Sequence, residues 1–141
     1  AKGAVDAVAR TLLLGSKRAQ EEAVWSLGAI GDRRGVEPLR RFSALDHPPR
    51  VMAAICRSLG QIGGLGALKP IEAVFMQGTA ETRVECLEAA ARLTTPKARA
   101  LFERAVKDPR PEVATLATTR LAELAPDAPE VSENPGEPTA K

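Results

Sequence analysis

The chain repeats itself at an offset of 32 residues, and no other property narrows its fold as much. Leu27-Gly28-Ala29-Ile30-Gly31-Asp32 is echoed at that offset by Leu59-Gly60-Gln61-Ile62-Gly63-Gly64, and Val36-Glu37-Pro38-Leu39 returns as Leu68-Lys69-Pro70-Ile71. Arg18-Ala19 matches Arg50-Val51 at the same distance, and Arg83-Val84 follows 33 residues later. A degenerate copy runs from Leu93-Thr94-Thr95-Pro96 through Ala98-Arg99-Ala100-Leu101-Phe102 to Asp108-Pro109-Arg110-Pro111-Glu112-Val113. A unit of this length cannot bury its apolar stripe alone, so neighbouring copies must stack to build a continuous core. The 141 residues hold about four such units.

Each unit reads as two helices. In the second unit Val36, Leu39, Phe42 and Leu45 recur at helical spacing, and Val51, Ala54, Ile55, Ser58 and Leu59 form another stripe. Asp46-His47-Pro48-Pro49 separates them, because proline is excluded from a helix interior but suits its first turn. Gly60 and Gly63-Gly64 are read as ending the second helix. Ser16, Asp32, Thr79, Thr95 and Asp108 are candidate N-caps, whose oxygens accept orphan backbone N–H groups. The predicted helices cover 4–14, 17–28, 34–45, 49–60, 66–77, 81–93, 97–107 and 111–124, with no segment of strand-like alternation. Aromatic residues at 3% argue against a sandwich or barrel core. The expected fold is all-α, an α-solenoid of about four stacked antiparallel helix pairs over residues 1–124. Residues 125–141, with Pro126, Pro129, Pro135, Pro138 and a net charge of −3, read as an acidic disordered tail or linker.

The pattern L-G-x-I-G-D-x-x-x-V-E-P-L, then D-x-P-x-x-V and an Ala-rich helix, resembles HEAT repeats. It is most similar to the short bacterial subclass named after phycobilisome-lyase subunits, over about residues 4–124. That resemblance implies the solenoid fold. It leaves function wide, since the family spans scaffolds, lyase subunits, a hydroxylase and DNA-repair enzymes. The family's usual Arg after the Val of the second helix is replaced here by Met52, Glu85 and Ala114.

Chemistry-bearing residues are sparse. His47 is the sole histidine and lies in the Pro-rich turn, read as a solvated turn residue. The related hydroxylases resemble one another in paired His-Glu motifs, which this sequence lacks, so no di-iron site is expected. Cys56 and Cys86 cannot make a disulfide scaffold and lack CxxC spacing, so a reducing, cytoplasmic setting is the simpler reading; at non-equivalent repeat positions they read as semi-buried inert thiols rather than reactive or bilin-attaching ones. No Gly-rich phosphate loop stands apart from the helix-ending glycines. No apolar run reaches the roughly 18–20 residues needed to span a bilayer. The first 124 residues carry a net +5, short of the footprint of a dedicated nucleic-acid binder, so nucleic acid is not the expected partner.

The expectation is thus a non-catalytic protein-interaction scaffold, not an enzyme, with no cofactor and no metal, holding a protein partner on the concave face of the second helices. Candidate contacts are Trp25, Met52, Arg57, Glu85, Glu88 and Arg92. Trp25 reads either as core between units or as an exposed anchor, tryptophan and arginine being enriched at hot spots. A phosphate-binding reading would use Lys17, Arg18, Arg50, Arg83 and Arg110 at the starts of second helices, and a bilin-lyase-like reading would need a chromophore pocket. The chain opens abruptly at Ala1-Lys2-Gly3 with no signal-peptide pattern, as a fragment or processed chain would. Ala4, Ala7, Thr11 and Leu14 make the far side of the first helix apolar, as if preceding repeats or another chain covered it.

Overall fold

A computed structural model describes residues 2–124. The tail expected at 125–141 lies outside the described residues. Among the described residues eight α-helices follow one another: α1 Lys2–Leu14, α2 Lys17–Ile30, α3 Val36–Ser43, α4 Pro49–Ile62, α5 Leu68–Gln77, α6 Ala80–Arg92, α7 Arg99–Ala105 and α8 Pro111–Glu123. Among the described residues there is no strand. A short 3₁₀ turn leads into α3, α5 and α7 at the same place in each unit: Arg33–Gly35, Leu65–Ala67 and Pro96–Ala98. The fold is the all-α solenoid of four antiparallel pairs that the repeat requires.

Local chemistry sets the helix starts. Ser16 accepts the Ala19 N–H at 3.2 Å, and Asp32 that of Arg34 at 2.9 Å. Thr79 accepts from Thr82, Thr95 from Lys97, and Asp108 from Arg110. Each supplies an oxygen to a backbone donor that has no partner within its own helix.

The stops differ from expectation in an informative way. Helix α2 runs on through Gly28 to Ile30, and α4 through Gly60 to Ile62; left-handed Gly31 (φ 72°) and positive-φ Gly63 (φ 75°) end them. Gly28 and Gly60 serve packing instead. A Cβ on Gly60 would lie 2.8 Å from the Ala89 Cβ, and one on Gly28 would lie 2.9 Å from the Ser58 Cα. Both are closer than van der Waals contact allows, so glycine lets successive second helices touch backbone to backbone. In the other direction, α3 stops at Ser43, two residues before Leu45, which is left 60% exposed outside the stripe it was assigned to.

The second helices α2, α4, α6 and α8 form one layer and the first helices the other. Neighbouring second helices pack much more extensively than neighbouring first helices, as the inner layer of a curved stack must. A single core runs through the pairs, with Leu27, Leu39, Ile55, Leu59, Ile71, Phe75, Leu87, Phe102 and Val113 fully buried. Each contributes about 1.5–3 kcal/mol relative to exposure. Two buried hydroxyls pin α4 to α2 and α6 to α4: Ser58 donates to the Val24 carbonyl at 2.8 Å, and Thr82 to the Pro49 carbonyl at 3.1 Å.

The cysteines depart most from expectation. Cys56 on α4 and Cys86 on α6 are both fully buried and are joined as a disulfide, with Cα atoms 5.1 Å apart. They are not separate thiols, and Cys56 does not face the exposed side of α4. The argument for a reducing compartment falls with that reading.

Candidate functional site

The exposed side of the second-helix layer is where the expected contact residues are to be tested. Trp25 on α2 is 44% exposed and is absent from the core cluster. The Arg57 guanidinium of α4 lies over its ring, 5.2 Å from the centroid. The same guanidinium donates from Nη2 to Glu85 Oε2 of α6 at 2.9 Å. Trp25, Arg57 and Glu85 therefore form one continuous group across three helices. Two residues of each pair sit within a turn of the 32-residue translation, which is why helical repeats bring them together.

Glu88 belongs to a second group. It accepts two bonds from Arg120 of α8, at 2.7 Å and 3.0 Å, while Arg120 also donates to Glu123 at 2.8 Å. Hydrogen bonds donated to Glu88 and then to Glu123 raise the Arg120 guanidinium above its ordinary value. Arg92 is exposed at the end of α6. Met52 stands apart: it is half-buried against the core and lines a cleft of 290 Å³ near His47, Thr79 and Thr82, away from Trp25.

Beside Trp25 lies a feature that the sequence reading missed. Val24, Trp25, Val51 and Ala54 line a 170 Å³ pocket between α2 and α4, with Glu21 and Arg50 also lining it. Arg50 donates to Glu21 Oε1 from Nε at 3.0 Å and from Nη2 at 2.7 Å. The signal was available, because Glu21 and Arg50 are 29 residues apart on neighbouring second helices.

The basic residues of the phosphate-binding reading are largely engaged within the chain. Arg18 pairs with Glu22, and Arg50 with Glu21. Arg83 is the most committed. It donates to Asp108, to the Gly78 carbonyl at 3.0 Å and to the Met76 carbonyl at 3.2 Å, and it lies 4.7 Å from the Phe75 ring centroid. Arg110 also reaches Asp108. Burial pushes the Asp108 carboxyl up, but the Arg110 N–H and the Arg83 guanidinium outweigh it and leave the group below its ordinary value. At the α2–α3 turn, hydrogen bonds from the Arg34 side chain and backbone hold Asp32 down to about 2.

His47 closes its turn by donating from Nε2 to the Phe42 carbonyl at 2.6 Å, with its ring 4.0 Å from that of Phe42. Among the described residues no group of three or more His, Cys, Asp or Glu side chains is arranged to hold a metal ion. Among the same residues no helix is long and apolar enough to cross a membrane. On the other layer, α1 leaves Leu13 and Leu14 exposed at 78% and 79%. Leu13, Leu12, Phe42 and Leu45 line a 370 Å³ groove between α1 and α3.

No curated protein matches the chain. Among solved structures it is similar to human deoxyhypusine hydroxylase in complex with glycerol, with a TM-score of 0.75 and 21% identity. The similarity covers 96% of this chain and 47% of that one, so this chain spans about half the length of the hydroxylase. That likeness shows the fold. It also overturns the expectation that the chain is not an enzyme, which rested on the lone His47 and the absence of paired His-Glu, carboxylate or Cys/His motifs: the same architecture serves a hydroxylase. A family signature described as HEAT repeats matches residues 7–80, just over half of the sequence. The repeat offset, the paired helices and this match agree, and the chain belongs to the HEAT-repeat family.

Proposed function

We propose that the exposed side of the second-helix layer binds a protein partner, with Trp25 as its anchor. One observation carries the reading: a half-exposed tryptophan beside a small, largely apolar pocket of Val24, Val51 and Ala54, ringed by charged side chains already paired with one another. Hot spots have this form, an aromatic or arginine anchor in a desolvated centre surrounded by polar groups of small energetic weight. The pocket suits one aliphatic or aromatic side chain of a partner, with Glu21, Arg50, Arg57 and Glu85 as its polar rim and Glu88 and Arg92 further along α6.

Two alternatives have less support. Phosphate binding would need Arg50, Arg83 and Arg110 to leave the acidic partners they hold. A bilin pocket would need aromatic walls, but Phe42, Phe75 and Phe102 are all core residues. On the same reading residues 1–124 are the repeat domain, a segment of a longer array, and the Pro-rich acidic stretch 125–141 is a separate segment. A cytoplasmic setting has lost its ground in free thiols.

The test is affinity capture with the wild-type chain and with Trp25→Ala, each eluted over a salt series. A partner held by the wild type, lost with Trp25→Ala and retained through high salt supports the reading. Equal capture by both chains refutes it.

A further inference from the structure

We propose that the Cys56–Cys86 bond is a thiol–disulfide device that fixes the geometry of the Trp25–Arg57–Glu85 face. The argument begins with sequence neighbours. Arg57 directly follows Cys56, and Glu85 directly precedes Cys86, so the bond and the ion pair lie side by side across α4 and α6. The bond holds the two Cα atoms 5.1 Å apart. One turn further along α4, Gly60 approaches Ala89 so closely that a Cβ on it would meet the Ala89 Cα at 2.9 Å. The two helices are thus clamped at successive points with no slack between them.

Reduction removes one clamp and adds a repulsion. Bonded sulfurs sit about 2.05 Å apart, whereas non-bonded heavy atoms prefer roughly 3.5–4 Å. Both sulfurs belong to fully buried residues with little room to turn, so the extra separation is met in part by α4 moving relative to α6. That motion carries Arg57 away from Glu85 and changes its seat over Trp25. Forming the bond takes two protons and two electrons from the two thiols and passes them to a small-molecule disulfide, which becomes two thiols; a dithiol reverses the reaction and itself becomes a cyclic disulfide. Burial makes both directions depend on local opening of α4 from α6, so the device is slow and holds its state.

The experiment compares three samples of the full chain: oxidised; unfolded, reduced with dithiothreitol and refolded in its presence; and Cys56→Ala with Cys86→Ala. Alkylation in denaturant without reductant should find no free thiol in the oxidised sample and two in the reduced one. Amide hydrogen exchange in α4 and α6 should accelerate by on the order of tenfold or more on reduction. The indole N–H resonance of Trp25, the sole tryptophan, should shift as well. The double variant should exchange like the reduced chain and ignore dithiothreitol, which keeps the test decisive even where reduced wild type refolds poorly. Two free thiols in the oxidised sample would overturn the proposal. So would equal exchange and an unmoved indole resonance across the samples, or a double variant that responds to dithiothreitol. None of these measurements involves a partner, so they separate this proposal from the partner-binding reading.

Discussion

Asp108 offers the sharpest check on whether the arginines that open the second helices are structural. Its side chain is 1% exposed, against 19% for its partner Arg83. It accepts the Arg110 N–H at 2.9 Å just before α8 and takes a second bond from Arg83. Asp108→Asn keeps an oxygen for the Arg110 N–H but sets an amide NH2 where the second carboxylate oxygen accepted from Arg83, so that bond is lost at a cost of about 1.5 kcal/mol. Asp108→Ala also removes the cap, worth about 1 kcal/mol, and leaves Arg83 without its carboxylate. Breaking a buried pair outright costs roughly 3–5 kcal/mol. Here the loss is smaller, about 2.5–3 kcal/mol by the same reasoning, because Arg83 keeps the Gly78 and Met76 carbonyls and the Phe75 ring.

For a domain of this size each kcal/mol moves the melting temperature by roughly 4 °C. Thermal unfolding by circular dichroism should therefore place Asp108→Asn about 6 °C below wild type and Asp108→Ala about 10 °C below. The pH series fixes the sign. Asp108 is held below its ordinary value in the folded chain, so the stability it contributes is complete above the unfolded carboxylate value of about 3.9. It is lost as pH falls from there through the folded value. The gap between wild type and Asp108→Asn should stay constant from neutrality to about pH 5 and shrink in stronger acid. Variants melting within a degree of wild type, or a gap that widens on acidification, would refute the reasoning and free Arg83 for a ligand.

Two further outcomes follow from packing. Gly60→Ala should destabilise by about 1–2 kcal/mol, since overpacking against Ala89 outweighs the gain of roughly 1 kcal/mol in helix propensity. Gly66→Ala, where a Cβ meets nothing within 4 Å, should be neutral or slightly stabilising in the same melts; equal effects would deny Gly60 its packing role. Sedimentation of the full chain should show concentration-dependent association that Leu13→Glu with Leu14→Glu abolishes, because both leucines stand almost fully exposed on α1. A wild type that stays monomeric would show that they need no cover.

How much of this was legible depends on whether a residue's role is set within its own helix. Ser16, Asp32, Thr79, Thr95 and Asp108 were readable as caps because a cap is local: an oxygen two or three residues from a backbone donor. Gly60 was misread because glycine has two uses, ending a helix and admitting a neighbour, and only the register against Ala89 separates them. Leu45 fits the α3 stripe by spacing, yet the helix stops before reaching it. The role of Trp25 turned on the rotation of α2 relative to α4, which no single stripe encodes.

The cysteine bridge and the ion pairs were hidden for a different reason, and the repeat itself reveals them. If each second helix is nearly its predecessor translated by 32 residues, a side chain meets partners within about one turn of that offset. The observed separations obey this: 28 for Arg57–Glu85, 29 for Arg50–Glu21, 30 for Cys56–Cys86, 32 for Arg120–Glu88, 33 for Thr82 to Pro49 and 34 for Ser58 to Val24. The same rule has a consequence for binding. It supplies Arg50, Arg57 and Arg120 with carboxylates from neighbouring units, so a partner that engages them must displace a bond already made. Exchanging one exposed ion pair for another yields little, within the 0–1 kcal/mol such pairs are worth. The repeat also sets Arg57 over the Trp25 ring, yet the tryptophan stays 44% exposed beside its pocket. Affinity on this face must therefore come from burying that pocket, and the charged rows around it can only favour some partners over others.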